Sequence, residues 1–250
     1  MPTNRPFVLS IAGFDPSGGA GVLADIKTFE QHQVNGFAIT TANTIQTENM
    51  FYKIQWTDLS FVIRSIETLF LSYEISTVKI GIVPGLHYLN RILSSIKLLS
   101  PAAKIVWDPV LKSSTKFKFL ELNNDLILNE VLSKIDLITP NYDEILMLFP
   151  DFVSDKPWIN NEIGTAILLK GGHNEEALGT DYLFLKNSIT ELLPTDVNFQ
   201  PKHGSGCVLS SAIAANLALG YDLKTACSEA KLYIEKYLSS SSSLIGYHYV

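Results

Sequence analysis

His203-Gly204-Ser205-Gly206-Cys207 opens an unbroken eighteen-residue stretch that ends at Gly220, HGSGCVLSSAIAANLALG over 203–220. Two glycines flank a serine, and the cysteine falls in the first turn of the helix that the following residues predict. That helix is apolar on nearly every side, through Val208, Leu209, Ala212, Ile213, Ala214, Ala215, Leu217, Ala218 and Leu219. A helix with no polar face belongs inside a domain rather than on its surface. Its glycine-rich start bares backbone N–H groups at the positive end of the helix dipole, which suits an anion. The same field should stabilise a Cys207 thiolate and lower its pKa. Glycines would equally serve a buried helix that must clear a neighbouring strand, and the stretch alone leaves both uses open.

Upstream of this helix, short apolar runs alternate with amphipathic ones. Phe7 to Ala12 reads as a buried strand, Val22 to His32 as a helix, and Gly36 to Thr41 as a second strand. Helical spacing returns at Asp58–Tyr73, Leu86–Leu99 and Asn124–Leu132, separated by strands at Val78–Val83, Lys104–Trp107 and Ile135–Ile138. Thr165–Leu169 is a further strand, Thr180–Leu185 and Ser188–Leu192 a hairpin, and Leu223–Tyr237 a last helix. The serines 239–243 read as a low-complexity linker before a short tail. Alternation of this kind predicts a single α/β domain over 1–250: a doubly wound, mostly parallel sheet with helices on both faces.

Composition narrows the partners. The net charge is −6 and no basic cluster interleaves with aromatics, which argues against nucleic acid and anionic membrane. Two cysteines, Cys207 and Cys227, make neither a zinc pattern nor a disulfide framework and fit a reducing compartment. No signal-peptide layout and no run approaching the ~20 apolar residues of a membrane span is present. The expectation is a soluble, cytoplasmic protein.

Several polar stretches sit where α/β sheets bind ligands, at the C-terminal ends of strands. The loop Gly13 to Gly21 lacks the lysine of a Walker A loop. Its Gly19-Ala20-Gly21-Val22-Leu23-Ala24 begins too far beyond the strand for a dinucleotide fingerprint. Its glycines would instead let backbone close around a small flat ligand, within reach of Asp25. Asn43 to Asn49 reads as a polar loop in which Gln46 offers both a donor and an acceptor to a heterocycle edge. Asp108, fixed by Pro109 at a strand end, suits phosphate or metal. Asn141 and Glu144 have capping-box spacing, which accounts for both without catalysis. Lys112 to Phe119 reads as a mobile flap, and residues 151–164 carry only weak periodicity.

Taken together, the chain resembles the ribokinase-like superfamily, and within it the hydroxymethylpyrimidine/phosphomethylpyrimidine kinases of thiamine biosynthesis. The matching stretches are Ile11-Ala12-Gly13 to Gly21 with Ala24-Asp25, Gln46, Val78-Lys79-Ile80-Gly81 and Trp107-Asp108-Pro109-Val110. Thr139-Pro140-Asn141 with Glu144, Lys170-Gly171-Gly172-His173 and 203–207 follow in the family's order. The resemblance implies that Cys207 lies against the substrate's CH₂OH group, where sugar kinases of the superfamily place an aspartate. The backbone of Gly204, Ser205, Gly206 and Cys207 would cradle the transferred phosphoryl group. Gly13, Ala20, Asp25 and Gln46 would line the pyrimidine site, with Val83 and Val110 packing on the ring. Asp108 and Glu144 would hold Mg²⁺, and Asn141, Glu144 and Lys170 would handle ATP.

The chain departs from the family's pattern in three places. The segment after Val110 is short, which puts the role of Lys112 in doubt; the helix before Lys170 is replaced by the irregular 151–164; and serine stands at 205 where threonine is commoner. A pyridoxal or pyridoxine kinase is the nearest alternative, and a non-catalytic small-molecule binder of the same fold is a third. The resemblance also implies a homodimer.

Overall fold

The computed structural model describes residues 5–111, 119, 125–152, 164–172, 178–196 and 199–249. Nine strands form one sheet: β1 (Phe7–Phe14), β2 (Asn35–Gln46), β3 (Phe51–Trp56), β4 (Ile75–Ile80), β5 (Lys104–Trp107), β6 (Leu137–Ile138), β7 (Ala166–Leu169), β8 (Asp181–Leu185) and β9 (Ser188–Leu192). Their order is β3-β2-β1-β4-β5-β6-β7-β8-β9. The six strands from β2 to β7 in that order run parallel, and β3, β8 and β9 are added antiparallel at the edges. The chain moves from β1 outward to β2, then returns to β4 on the other side of β1. A crevice therefore opens above the β1/β4 boundary, where such sheets take their ligands.

Seven helices cover the sheet: α1 (Gly21–Gln31), α2 (Leu59–Ser72), α3 (Leu86–Leu99), α4 (Asp125–Leu132), α5 (Tyr142–Leu148), α6 (Ser205–Ala218) and α7 (Leu223–Ser239). One apolar core packs beneath α2, α3, α4 and α5, through residues such as Ile66, Leu93 and Trp107. The other packs beneath α1, α6 and α7, through Phe29, Val208, Ala212 and Ile234. The predicted layering is therefore present. Every residue of α6 from Val208 to Asn216 is buried, as an all-round apolar helix requires. Among the described residues no helix is long and apolar enough to cross a membrane.

Two expectations are corrected. The polar loop at 43–49 is strand up to Gln46, and the turn is confined to Thr47–Met50, closed by Thr47 N–H donating to Met50 O at 2.8 Å. Its partner β3 pairs Ala42 with Trp56 and Thr44 with Ile54, so the backbone of this stretch is held by the ladder. The serine run is not a linker either. Ser239 closes α7, and the carbonyls of Ser241 and Ser243 accept from the buried Lys202 ammonium at 2.5 and 2.7 Å. Leu244 O accepts from His203 N–H at 2.8 Å, so the tail is tied to the base of the 203–207 loop. Small side chains with free carbonyls suit a turn that wraps a cation, which composition alone reads as low complexity. Residues 112–118, 153–163 and His173 lie outside the described residues, and with them most of the proposed flap and the irregular segment.

Candidate active site

The N-terminus of α6 stands over the ends of β1, β4 and β5. Gly204 is its N-cap in the left-handed region, at φ 74°, and no side chain caps the helix. Gly204, Ser205, Gly206 and Cys207 are partly exposed while the helix behind them is buried. First-turn N–H groups without side-chain partners at an accessible helix start form an anion cradle.

Below Gly206 lies a cluster built from three loop ends. Lys170, just past β7, donates to Asp108 Oδ1 at 2.9 Å and approaches Glu144 Oε2 at 3.9 Å. Thr139 Oγ1, past β6, donates to the same Asp108 oxygen at 3.0 Å. A Cβ on Gly206 would lie 3.3 Å from Lys170 Nζ and 3.6 Å from Asp108 Oδ2, which places the cluster against the helix start. Asn141 caps α5 in a full capping box: its side chain accepts from Glu144 N–H, and Glu144 accepts from Asn141 N–H, each at 2.8 Å. Sequence spacing thus located both residues, and tertiary packing turned Glu144 toward Lys170 as well.

The charges of this cluster are set by mutual contact. Burial works to raise the Asp108 carboxyl, but Lys170, Lys79 and the Thr139 hydrogen bond outweigh it and hold it below its usual range. Glu144 moves the other way: burial and the neighbouring Asp108 raise it, against the pull of Lys170. Burial would lower the Lys170 ammonium, yet Asp108 and Glu144 keep it raised and charged. Among the described residues no group of three His, Cys, Asp or Glu gathers to hold a metal alone. Mg²⁺ ordinarily needs only one or two carboxylates beside phosphate oxygens and water. Asp108 Oδ2 fits that demand, since its own contact is the long 3.5 Å approach of Ser210 Oγ.

Cys207 corrects the expected thiol chemistry. Burial pushes its thiol up to about 11, Asp25 and Asp108 add to the rise, and Lys79 opposes it. Desolvation and two carboxylates outweigh the benefit of the helix start, so Cys207 is a thiol at neutral pH in the unliganded protein.

The acceptor-site candidates lie at or beyond strand ends of the same sheet. Gly13 is the penultimate residue of β1 and packs on Ile82, Ala20 precedes α1, and Gln46 ends β2. Val83 and Val110 line a narrow cleft with Gly81, Trp107 and Leu111. Asp25 does not join them. It is fully buried, and both its oxygens are occupied by Lys79, Ser10 and Ser211, which leaves no surface for a ligand. A cleft of about 710 Å³ beside α7, lined by His32, Asn216 and Tyr233 among others, contains none of these groups.

Two residues have no role assigned from sequence, Asp15 and Lys79, and the first joins the glycine-rich loop to the start of α6. Asp15 accepts from Ser17 N–H at 2.9 Å, Ser17 Oγ at 2.8 Å, Ala20 N–H at 2.9 Å and His203 Nε2 at 2.8 Å. Burial would raise the Asp15 carboxyl, but the His203 and Ser17 hydrogen bonds overcome it and hold it low. A depressed folded pKa contributes stability above the ordinary Asp value of 3.8 and loses it as pH falls through the folded value. Asp15→Asn should therefore lower stability to urea more at pH 6 than near pH 3. Equal losses at both pH values would show that the carboxylate charge is not what matters. Lys79 was the other missed residue, and a lysine within the apolar Val78-Lys79-Ile80 was its signal, since buried lysines need partners.

The chain is similar to known proteins along nearly its whole length. A Hydroxymethylpyrimidine/phosphomethylpyrimidine kinase of Aquifex aeolicus is 32% identical over 244 residues, covering 94% of this chain and 95% of the relative. The crystal structure of a phosphomethylpyrimidine kinase from Clostridium difficile superposes with a TM-score of 0.77 at 29% identity, over 92% of this chain and 98% of that one. A pyridoxal kinase of Bacillus subtilis, solved as an ADP complex, shares the fold with a TM-score of 0.82 at 24% identity, over 96% and 94% of the two chains. The family model for phosphomethylpyrimidine kinase matches residues 15–249, a span that holds the cradle, the Asp108–Lys170–Glu144 cluster and most of the acceptor edge, and the chain belongs to that family.

Proposed function

We propose that residues 1–250 act as one kinase domain that transfers the γ-phosphoryl group of ATP to the hydroxymethyl oxygen of 4-amino-5-hydroxymethyl-2-methylpyrimidine. A second transfer, to the monophosphate so formed, gives the diphosphate for thiamine biosynthesis. The observation that carries this reading is the meeting of an open, uncapped helix start with a buried Asp108–Lys170–Glu144 cluster, next to the glycine-rich loop. Phosphoryl transfer asks for positioning and charge neutralisation more than covalent chemistry, and this cluster offers both.

In the first transfer the hydroxymethyl oxygen bonds to the γ-phosphorus, the bond to the ADP oxygen breaks, and the hydroxyl proton must leave. The N–H groups of Ser205, Gly206 and Cys207 would hold the phosphoryl oxygens. Lys170 would meet the developing charge, and Gly13, Ala20, Gln46, Val83 and Val110 would enclose the ring. Asp108 and Glu144 would hold Mg²⁺, which supplies charge neutralisation at the phosphates when bound, and Asn141 would orient Glu144. Cys207 would take the proton once ionised. The second transfer starts from a phosphate oxygen that carries no such proton, so it needs no base.

Purified protein with Mg-ATP and the pyrimidine should therefore yield monophosphate and then diphosphate, and no phosphorylated product would overturn the reading. Cys207→Ala should lower kcat of the first transfer by roughly 10²-fold, the lower end for a positioned acid–base group, and the second transfer far less. Equal losses in both would remove Cys207 from proton transfer.

The fold shared with pyridoxal kinase keeps pyridoxal as the competing acceptor. The ratio of kcat/KM for the two alcohols decides between them. A working place in the reducing cytoplasm fits two free cysteines, and a homodimer would show by sedimentation at two concentrations.

A further inference from the structure

Among the described residues, the ion pair most fully buried lies beneath α6, and this chemistry leaves it unused. Lys79, on β4, donates to Asp25 Oδ1 at 2.9 Å and Oδ2 at 2.8 Å, and both side chains are 0% exposed. Ser10 Oγ on β1 donates to Asp25 Oδ2 at 2.5 Å, and Ser211 Oγ on α6 donates to Oδ1 at 2.6 Å. Each oxygen of Asp25 thus takes two hydrogen bonds, and three elements meet on one carboxylate.

Ser211 is four residues beyond Cys207, so the two lie one helical turn apart on the same face of α6. On the neighbouring face Ser210 bonds mainly within its own helix, to Gly206 O at 2.9 Å, and reaches Asp108 only at 3.5 Å. The bond from Ser211 to Asp25 therefore ties α6 to α1 and, through Lys79 and Ser10 on the same carboxylate, to β4 and β1. A buried ion pair is a weak source of stability, because desolvation offsets its attraction, and apolar replacements of similar size are often as stable. What an apolar set could not do is hold α6 at one rotation, since van der Waals contact tolerates sliding that a charge-assisted hydrogen bond does not.

We propose that Asp25, held in place by Lys79, is a positioning residue: through Ser211 it fixes the rotation of α6 and so the aim of Cys207 and of the phosphate-cradling N–H groups. This rests on the kinase reading above. The Lys79 charge also opposes the rise of the Cys207 thiol.

The test compares kcat, KM and thermal unfolding of wild type with two variants of the full chain. Ser211→Ala removes the tie and keeps the ion pair. The double variant Asp25→Leu with Lys79→Met removes the ion pair without leaving a buried charge alone. Both should stay folded and lose kcat by about 10²-fold, the scale set by a misplacement of about 1 Å, while KM for ATP and pyrimidine changes little. Either variant, folded and with wild-type kcat, would overturn the proposal, as would a rise in KM alone or a loss confined to melting temperature. A wild-type chain without turnover would instead overturn the kinase reading, and this one with it.

Discussion

Lys170→Met should abolish most activity and much of the stability together. Lys170 is the cation between two carboxylates: Asp108, which is fully buried, at 2.9 Å, and Glu144, nearly so, at 3.9 Å. Methionine keeps the stem and removes the charge. Breaking a buried pair by deleting one partner costs about 3–5 kcal/mol, because the remaining charge has lost both water and counter-ion. That is a large share of the ~5–15 kcal/mol that holds a domain folded. Urea unfolding at neutral pH measures it directly. Glu144 offers partial relief, since burial and Asp108 already raise its carboxyl and it can take up a proton. A raised acid favours the folded state below its ordinary value of 4.5, and that advantage fades as pH rises through the folded value.

Two further measurements separate charge from chemistry. Asp108→Asn added to Lys170→Met should restore part of the lost stability, because the orphaned charge is gone, and a double-mutant cycle reads the coupling. Activity should not return. Losing a cation that neutralises a transferring phosphoryl group costs roughly 10³-fold or more in kcat. A Lys170→Met protein with near wild-type kcat would exclude Lys170 from the phosphoryl site.

Gly204→Ala should be almost as damaging, for a steric reason. Gly204 stands at φ 74°, where an L side chain costs roughly 1–2 kcal/mol. A Cβ there would lie 2.0 Å from Gly19 O and 2.7 Å from Ala20 Cα. These are backbone atoms, so no rotamer change relieves the overlap. The acceptor loop and the phosphate cradle would have to separate, straining the Asp15–His203 contact that joins them. Displaced oxyanion donors cost ~10²–10³-fold in kcat, and KM for the pyrimidine should rise as well, since Ala20 moves with Gly19. An alanine variant with unchanged kinetics would show that the two loops need not touch during turnover.

Much of this arrangement is readable in short stretches of chain. Apolar runs that alternate with helical spacing imply a parallel sheet, because only such a sheet buries continuous apolar strands on both faces. The Asn141–Glu144 capping box needs only residues three apart. The all-round apolar 208–219 needs only its own periodicity to place it inside. The order of motifs from Gly13 to Cys207 carries the family, and with it the expectation that Asp108, Glu144 and Lys170 converge.

Other features depend on partners far away in sequence. Asp25 is one turn into a helix that follows a glycine-rich loop, which looks like a ligand contact. Its partners are Lys79, 54 residues on, and Ser211, 186 residues on, and they draw it under the site instead of into it. Cys207 at a helix start suggests an acidic thiol until burial and the Asp25 and Asp108 carboxylates are counted. The serines at 239–243 look like a linker because their role is to offer carbonyls to Lys202, about 40 residues away.

The sequence by itself determined the layered fold, the family and the glycine-rich, uncapped start of α6, because periodicity, caps and glycine conformations act within a few residues. Only the tertiary structure decided which charges are buried and which pairs neutralise them, because electrostatic energies depend on distance and desolvation that chain order does not carry.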